Sequence, residues 1–144
     1  MEYRKFNETY YLRVDKGDEV IASILSVCEK EGIKSATYNG IGGCSSADIQ
    51  TFNPEKGVFS TETKKGMLEL VSLMGNIISD EDGKLYHHTH AMFAYKEGDE
   101  HRTIGGHLKS TTVLYTAEIE ICPVIGGTIE REFNPETGTG FWKL

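Results

Sequence analysis

The sequence predicts an α+β fold in which a mainly antiparallel sheet packs against one long flanking helix. Two observations predict it. Only one segment of the 144 residues has the apolar spacing of a long helix, and most of the remaining chain alternates apolar and polar residues, as half-buried strands do. Many strands and a single helix are typical of a sheet with a helix on one face. Because no linker-like or low-complexity segment interrupts the chain, we expect one domain over residues 1–144.

The first predicted elements are a strand and the helix. Residues 6–14 are predicted as a strand, because apolar residues lie two positions apart there. Asp18 is the predicted N-cap of a helix that runs to about Glu31, and Gly32 lies where helices commonly end on glycine. The apolar positions of this helix recur at helical spacing: Val20, Ile21, Ile24, Leu25 and Cys28.

The rest of the chain is predicted as eight further strands. In the clearest of them, 110–121, the odd positions from 113 onward are apolar and the neighbouring positions are mostly polar. The eight predicted strands are residues 34–39, 45–52, 58–64, 67–78, 85–95, 101–108, 110–121 and 128–133.

The strand around residues 67–73 differs from the others because both of its faces are apolar. Alternation places Leu68 and Leu70 on one face and Val71 and Leu73 on the other. This pattern predicts burial on both sides, either under the helix or in a subunit interface.

A turn pattern, Phe-Asn-Pro-Glu-x-Gly, occurs at residues 52–57 and again at 133–138. Proline fixes φ in the turn, the asparagine side chain can bond the backbone, and glycine accepts a positive φ at the exit. Because the flanking sequences do not match, we interpret the repetition as a shared turn type rather than a duplicated domain.

Charge and composition restrict the classes of function. The net charge is −7, and the basic residues are dispersed, which speaks against a strong DNA-binding surface. No apolar run approaches the roughly 18 residues of a membrane span, and the first residues lack a signal-peptide core. Three scattered cysteines predict free thiols in a reducing compartment. We therefore expect a cytoplasmic protein that does not insert into membranes.

The most informative chemistry is a set of three histidines. In a strand, residues i and i+2 share a face, so His88 and His90 project together while His87 points the other way. A third ligand must come from a neighbouring strand, and His107 is the candidate, since the glycine pair before it allows close backbone approach. A His-x-His pair alone is more often two exposed strand residues than a ligand pair.

Three imidazoles would leave a fourth coordination position open for water, a small ligand or an anion. They suit a divalent ion, zinc first, although nickel, iron and copper also accept imidazole. Glu69 lies in an otherwise apolar stretch, where it could accept a hydrogen bond from a ligand histidine or pair with Arg13 or Arg131.

Several segments together resemble the prokaryotic PPC domain (plants and prokaryotes conserved). Residues 85–91 carry the His-x-His pair, and residues 104–108 carry the following Gly-Gly-His-Leu element. Residues 66–75 are similar to the family's Gly-x-x-Glu-aliphatic-x-Ser-Leu-x-Gly strand, and residues 39–42 to its glycine-containing turn. The likeness covers essentially the whole chain.

The resemblance implies an antiparallel sheet with a flanking helix, assembled as a homotrimer, with His88, His90 and His107 as the metal ligands. In plants the domain accompanies AT-hook motifs, and prokaryotic members are therefore often named as candidate DNA-binding proteins. This chain has no AT-hook and a net charge of −7, so the DNA-binding name carries over only weakly.

Three functions are compatible with these features. The first is a metal-containing trimeric module that binds a small ligand or a partner and acts in regulation. The second is a DNA-binding, transcription-associated protein, which the family name supports and the charge opposes. The third is a metal-dependent hydrolase-type enzyme, for which no general base is evident beside the histidines.

Overall fold

The computed structural model describes all residues from 1 to 144 and contains eight strands and one helix. In chain order the elements are β1 (Glu2–Phe6), β2 (Thr9–Asp15), α1 (Val20–Glu31), β3 (Ser35–Asn53), β4 (Val58–Ser79), β5 (Leu85–Glu97), β6 (Glu100–Pro123), β7 (Glu130–Asn134) and β8 (Thr139–Lys143).

All eight strands belong to one sheet, in which four strands close into a ring. β3 pairs with β4, β4 with β5, β5 with β6, and β6 again with β3, and every one of these pairings is antiparallel. β2 and then β1 extend the sheet beyond β6, whereas the β7–β8 hairpin joins β4 through a single parallel bridge between Ser79 and Glu130. The ring brings strands that are distant in sequence around one interior.

The hydrophobic core lies between the sheet and α1. The buried face of the helix includes Val20, Ile24 and Val27, each with no exposed surface, and it packs mainly on β6. Burying a side chain of this size contributes roughly 1.5–3 kcal/mol each. The mainly antiparallel sheet with one flanking helix confirms the predicted architecture, except that the helix is short rather than long. The helix of 12 residues is neither long enough nor apolar enough to cross a membrane.

The helix ends where the sequence predicts but begins one residue later. Gly32 is its C-cap at φ 66°, as expected. The N-cap is Glu19 rather than Asp18: one carboxylate oxygen of Glu19 accepts from the Ala22 backbone N–H, while Asp18 pairs with the N-terminal amino group. The other Glu19 oxygen accepts from the backbone N–H of Thr111 on β6, so the cap also ties the helix to the sheet.

The predicted strand 6–14 is wrong in its extent. The chain forms two strands, β1 and β2, joined by a turn at Asn7 and Glu8, and Asn7 adopts a φ of 52°. Asparagine tolerates this left-handed conformation better than most residues, which permits the short connection.

Neighbouring predicted strands are continuous in three places. Predicted pairs merge into β3, β4 and β6, because the residues between the predicted strands lie at register shifts within continuous strands, near residues 40–46 in β3, Gly66 in β4 and Lys109 in β6. Within β4, a bulge between Leu70 and Ser72 shifts the alternation. Leu73 therefore enters the core with Leu68, and Val71 is 53% exposed on the outer side, so the strand is not buried on both faces within the chain.

Both Phe-Asn-Pro-Glu-x-Gly segments form the same turn. The side-chain oxygens of Asn53 and Asn134 each accept from two backbone N–H groups further along, and the closing glycines Gly57 and Gly138 have φ of 64° and 67°. One turn joins β3 to β4 and the other joins β7 to β8. The shared turn type is confirmed, and it produces a final strand, β8, that the sequence reasoning missed.

Candidate metal centre

The three histidines lie side by side on two neighbouring strands. His88 and His90 are on β5, and His107 is directly opposite His90 in the register of β5 and β6. β6 reaches this register through Gly106, where φ is 154° and an added Cβ would lie 2.8 Å from the carbonyl oxygen of Gln50. The glycine therefore allows the close approach of β3 that positions His107.

The imidazole rings of this trio are close enough to share one ion. The ring centroids of His90 and His107 are 4.2 Å apart, and those of His88 lie 5.2 Å from His90 and 5.1 Å from His107. One nitrogen from each ring lies within 4.8 Å of the other two. The sequence hypothesis placed these three residues together, and they are together.

The donor set fits a tetrahedral divalent ion. Nitrogens bound to one tetrahedral zinc at about 2.05 Å lie about 3.3 Å apart. The Nε2 atoms of His88 and His107 are 3.2 Å apart, close to that spacing. One nitrogen of His90 lies within 4.8 Å of a nitrogen on each of the other two rings, so the three rings can supply three ligands and leave one side of the ion for another.

The surroundings favour the neutral imidazoles that bind metals. Burial lowers the pKa of His88 below its usual value, and the nearby His90 lowers it further. Burial also lowers the pKa of His107, with smaller contributions from His90 and His88. Neutral rings at physiological pH need not lose a proton before they bind an ion.

His87 is not part of this trio, although it lines a cavity that His88 and His107 also line. Its Nδ1 is 2.9 Å from the hydroxyl oxygen of buried Thr89, and that hydroxyl is also hydrogen-bonded to Tyr38. Burial lowers the pKa of His87 and raises that of Tyr38. The fifth histidine, His101, is exposed on β6 outside the trio.

A cavity of about 550 Å³ opens beside His88 and His107. Its wall includes Tyr86, which lies on the same strand as His88 and His90. The β7–β8 hairpin forms another part of the wall. Its Trp142 indole N–H donates to the side-chain oxygen of Asn76 at 3.4 Å, and the Arg131 guanidinium lies 4.7 Å from the Tyr86 ring.

The sequence reasoning missed the cavity residues on this hairpin. The second Phe-Asn-Pro-Glu turn was the available signal, because a turn of the kind that joins two strands implies a further strand after it.

Glu69 has neither of the roles weighed for it. It is exposed, it lies outside the cavity, and no ion pair includes it.

Comparison with solved structures gives close relatives over nearly the whole chain. A plant- and prokaryote-conserved (PPC) protein from Pyrococcus horikoshii is 34% identical, with a TM-score of 0.82, covering 99% of this chain and 94% of that one. A protein from Archaeoglobus fulgidus described as metal-containing is 31% identical, with a TM-score of 0.82 and coverage of 99% and 97%. A protein from Bacteroides thetaiotaomicron named a "putative dna binding protein" is 25% identical, with a TM-score of 0.88 and coverage of 99% and 96%.

A search of curated proteins finds no significant match. The sequence profile described as the Plants and Prokaryotes Conserved (PCC) domain matches residues 1–125, which includes all three histidines. The profile and the solved relatives agree with the resemblance drawn from the sequence motifs. The chain therefore belongs to the Plants and Prokaryotes Conserved domain family, abbreviated PPC or PCC.

Proposed function

We propose that this protein is a metal-binding module that holds one divalent ion on His88, His90 and His107 and presents the ion's open position to a small ligand or anion. The observation that carries the proposal is the convergence of three ring nitrogens within 4.8 Å of one another. A solved relative described as metal-containing supports it. In this proposal the module has a regulatory role.

Zinc is the proposed ion, because imidazole nitrogens are among its preferred ligands and the Nε2 atoms of His88 and His107 lie near tetrahedral spacing. Nickel, iron and copper also accept imidazole nitrogen and are the alternatives. When bound, the ion would supply a Lewis-acidic position that attracts water or an anion.

The proposed assembly is a homotrimer formed through the outer apolar face, which comprises Tyr11, Ile41, Val71 and Met74. These side chains are 46–63% exposed and line one concave region of about 790 Å³ on the side of the sheet away from the core. Exposed apolar residues gathered in one place are typical of a protein interface. The proposal that three chains assemble comes from the family resemblance.

Binding is favoured over hydrolysis by the composition of the cavity. None of the residues that line it is Asp or Glu, and the Nδ1 atom of His87, the lining histidine outside the trio, is already hydrogen-bonded to Thr89, so the cavity offers no carboxylate as a general base for water activated by the ion. A binding module needs no such base. We also propose a cytoplasmic location, which the three free cysteines support.

Direct DNA binding is the second candidate, because solved relatives carry DNA-binding names. The net charge of −7 opposes it, since phosphate contacts require clustered basic side chains.

The proposed site is tested by metal titration of matched variants. Metal-free native protein should bind about one zinc ion per chain, whereas His88→Ala and His107→Ala should each weaken zinc binding by at least about tenfold. His101→Ala is the matched control and should bind zinc like the native protein, because His101 is exposed and outside the trio. Equal zinc affinity in all four proteins would contradict the proposal.

A further inference from the structure

The cavity beside the histidines has a wall that is unusual for so acidic a chain. The protein carries 22 acidic and 15 basic residues, yet none of the 13 residues that line the cavity is acidic. Apart from the histidines, its charged side chain is Arg131. The Arg131 guanidinium is therefore a positive charge that no carboxylate of the cavity wall neutralises, which favours an anionic occupant.

Arg131 is held in place without being neutralised. Its guanidinium lies 4.7 Å from the centre of the Tyr86 ring, and none of the chain's ion pairs includes it. Gly140, on the neighbouring strand β8, makes room for this arrangement, because a Cβ there would collide with the guanidinium. A guanidinium that stacks on a ring keeps its N–H edge free for a planar, two-oxygen acceptor.

The remainder of the wall is largely aromatic. Phe59, Phe141 and Trp142 line the cavity, and each exposes 41–50% of its surface. The Trp142 ring is fixed by its hydrogen bond to Asn76, and the Phe59 ring meets that of His107 at a centroid distance of 5.1 Å. Exposed aromatic surface beside a polar group is typical of a pocket that holds an apolar body and orients it by one polar end.

We infer that this cavity binds a small organic carboxylate with an apolar or aromatic body. Arg131 recognises the carboxylate together with the ion held by the histidines, and the aromatic wall contacts the body. A guanidinium can pair with two oxygens of either a carboxylate or a phosphate, but an inorganic anion would leave the aromatic wall uncovered, so a carboxylate with an apolar body fits better than inorganic phosphate. The inference rests on the proposed metal-binding function and adds the class of its ligand.

The test is calorimetric titration of the zinc-loaded protein with three probes: 3-phenylpropanoate, its uncharged amide 3-phenylpropanamide, and inorganic phosphate. The carboxylate should bind at least about tenfold more tightly than the amide, because only the carboxylate can form a charge-assisted hydrogen bond with the Arg131 guanidinium. It should also bind more tightly than phosphate, because only the carboxylate carries a body for the aromatic wall.

Variants assign the effect to Arg131. Arg131→Gln should lose about tenfold in carboxylate affinity, and Arg131→Lys should fall between Gln and the native protein, because lysine keeps the charge without the planar fork. Arg102→Gln is the control, since Arg102 pairs with Glu97 and Glu100 away from the cavity. Zinc content, measured in every sample, should be the same in all of them.

The possible failures can be told apart. If the protein holds about one zinc ion per chain but binds the carboxylate no better than the amide, or if Arg131→Gln leaves the carboxylate affinity unchanged, the inference is overturned and the metal site stands. Tighter binding of phosphate than of the carboxylate also overturns it. If the native protein holds no zinc, the proposed function fails, and this inference fails with it.

Discussion

At the scale of single residues, His107 depends on the glycine that precedes it. Gly106 combines a φ of 154° with a close approach of β3, where an added Cβ would lie 2.8 Å from the Gln50 carbonyl oxygen and 3.1 Å from the Ile49 side chain. Both atoms belong to strand β3 at the point where it pairs with β6. The glycine therefore sets the strand geometry that brings His107 beside His90.

Replacing Gly106 with alanine should destabilise the metal-free protein by about 1–3 kcal/mol, because the backbone conformation and the contact with Gln50 are both unfavourable for a Cβ. Urea unfolding of metal-free samples measures this change without a contribution from bound zinc. Gly127→Ala is the control, since a Cβ there meets nothing within 4 Å and φ is not positive. Equal stability of the two variants would refute the role given to Gly106.

The histidines also show what sequence can predict at this scale. The two-residue period of a strand placed His88 with His90 and excluded His87, because that period is a property of any strand. His107 was a candidate because of the glycine pair before it, and the family motif implied the same residue, but the pairing of His107 with His90 could not be predicted because register between strands depends on distant contacts. Arg131 was beyond prediction as a cavity residue, because its strand, β7, joins β4 through a bridge between Ser79 and Glu130, a pairing of distant residues that no local pattern indicates.

At the scale of elements, the helix is attached to the sheet through its cap. Glu19 accepts from Ala22 at the helix start and from Thr111 on β6, and Thr111 is only 1% exposed. The sequence favoured Asp18 because aspartate is a far commoner cap than glutamate. The longer side chain is used here because it reaches two backbone donors on different elements.

Glu19→Ala should lower the free energy of unfolding by about 2–3 kcal/mol, more than an ordinary cap, because it also leaves the buried Thr111 N–H without its acceptor. Chemical unfolding of the metal-free protein is the measurement. Asp18→Ala should change stability by less than about 1 kcal/mol, as expected for an exposed ion pair. If the two substitutions cost the same, Glu19 does not have the bridging role described here.

The strands show where an alternation pattern is insufficient. The sequence located nearly every strand but divided β3, β4 and β6 and assigned Leu73 to the wrong face. A bulge adds one residue and reverses the alternation after it, and the bulge beside Ser72 depends on pairing with β5 rather than on local sequence.

At the scale of the whole molecule, the outer apolar face is the basis of the proposed trimer. Val71→Asp would place a charge among the apolar side chains of the proposed interface, where it is costly. We expect native protein at three times the 16.0 kDa mass of one chain and the variant at the mass of a single chain. Light scattering coupled to gel filtration measures both. Ile125→Asp, exposed but outside this face, should remain trimeric, and a native protein that runs as a single chain would rule out the trimer.

The net charge of the whole molecule distinguishes the proposed binding module from a protein that binds DNA directly. With a net charge of −7, we expect no retention of duplex DNA in a mobility-shift assay even at about 50 mM salt, where phosphate contacts are strongest. A shift at low salt that disappears steeply as salt is raised would instead support the DNA-binding candidate.

The central claim is that one divalent ion sits on the three histidines, and elemental analysis of the purified native protein tests it most directly. We expect about one zinc ion per chain, retained through gel filtration, and none in the His88→Ala/His107→Ala double variant. Native protein without bound metal after incubation with zinc, or a double variant with the same metal content as the native protein, would contradict the account.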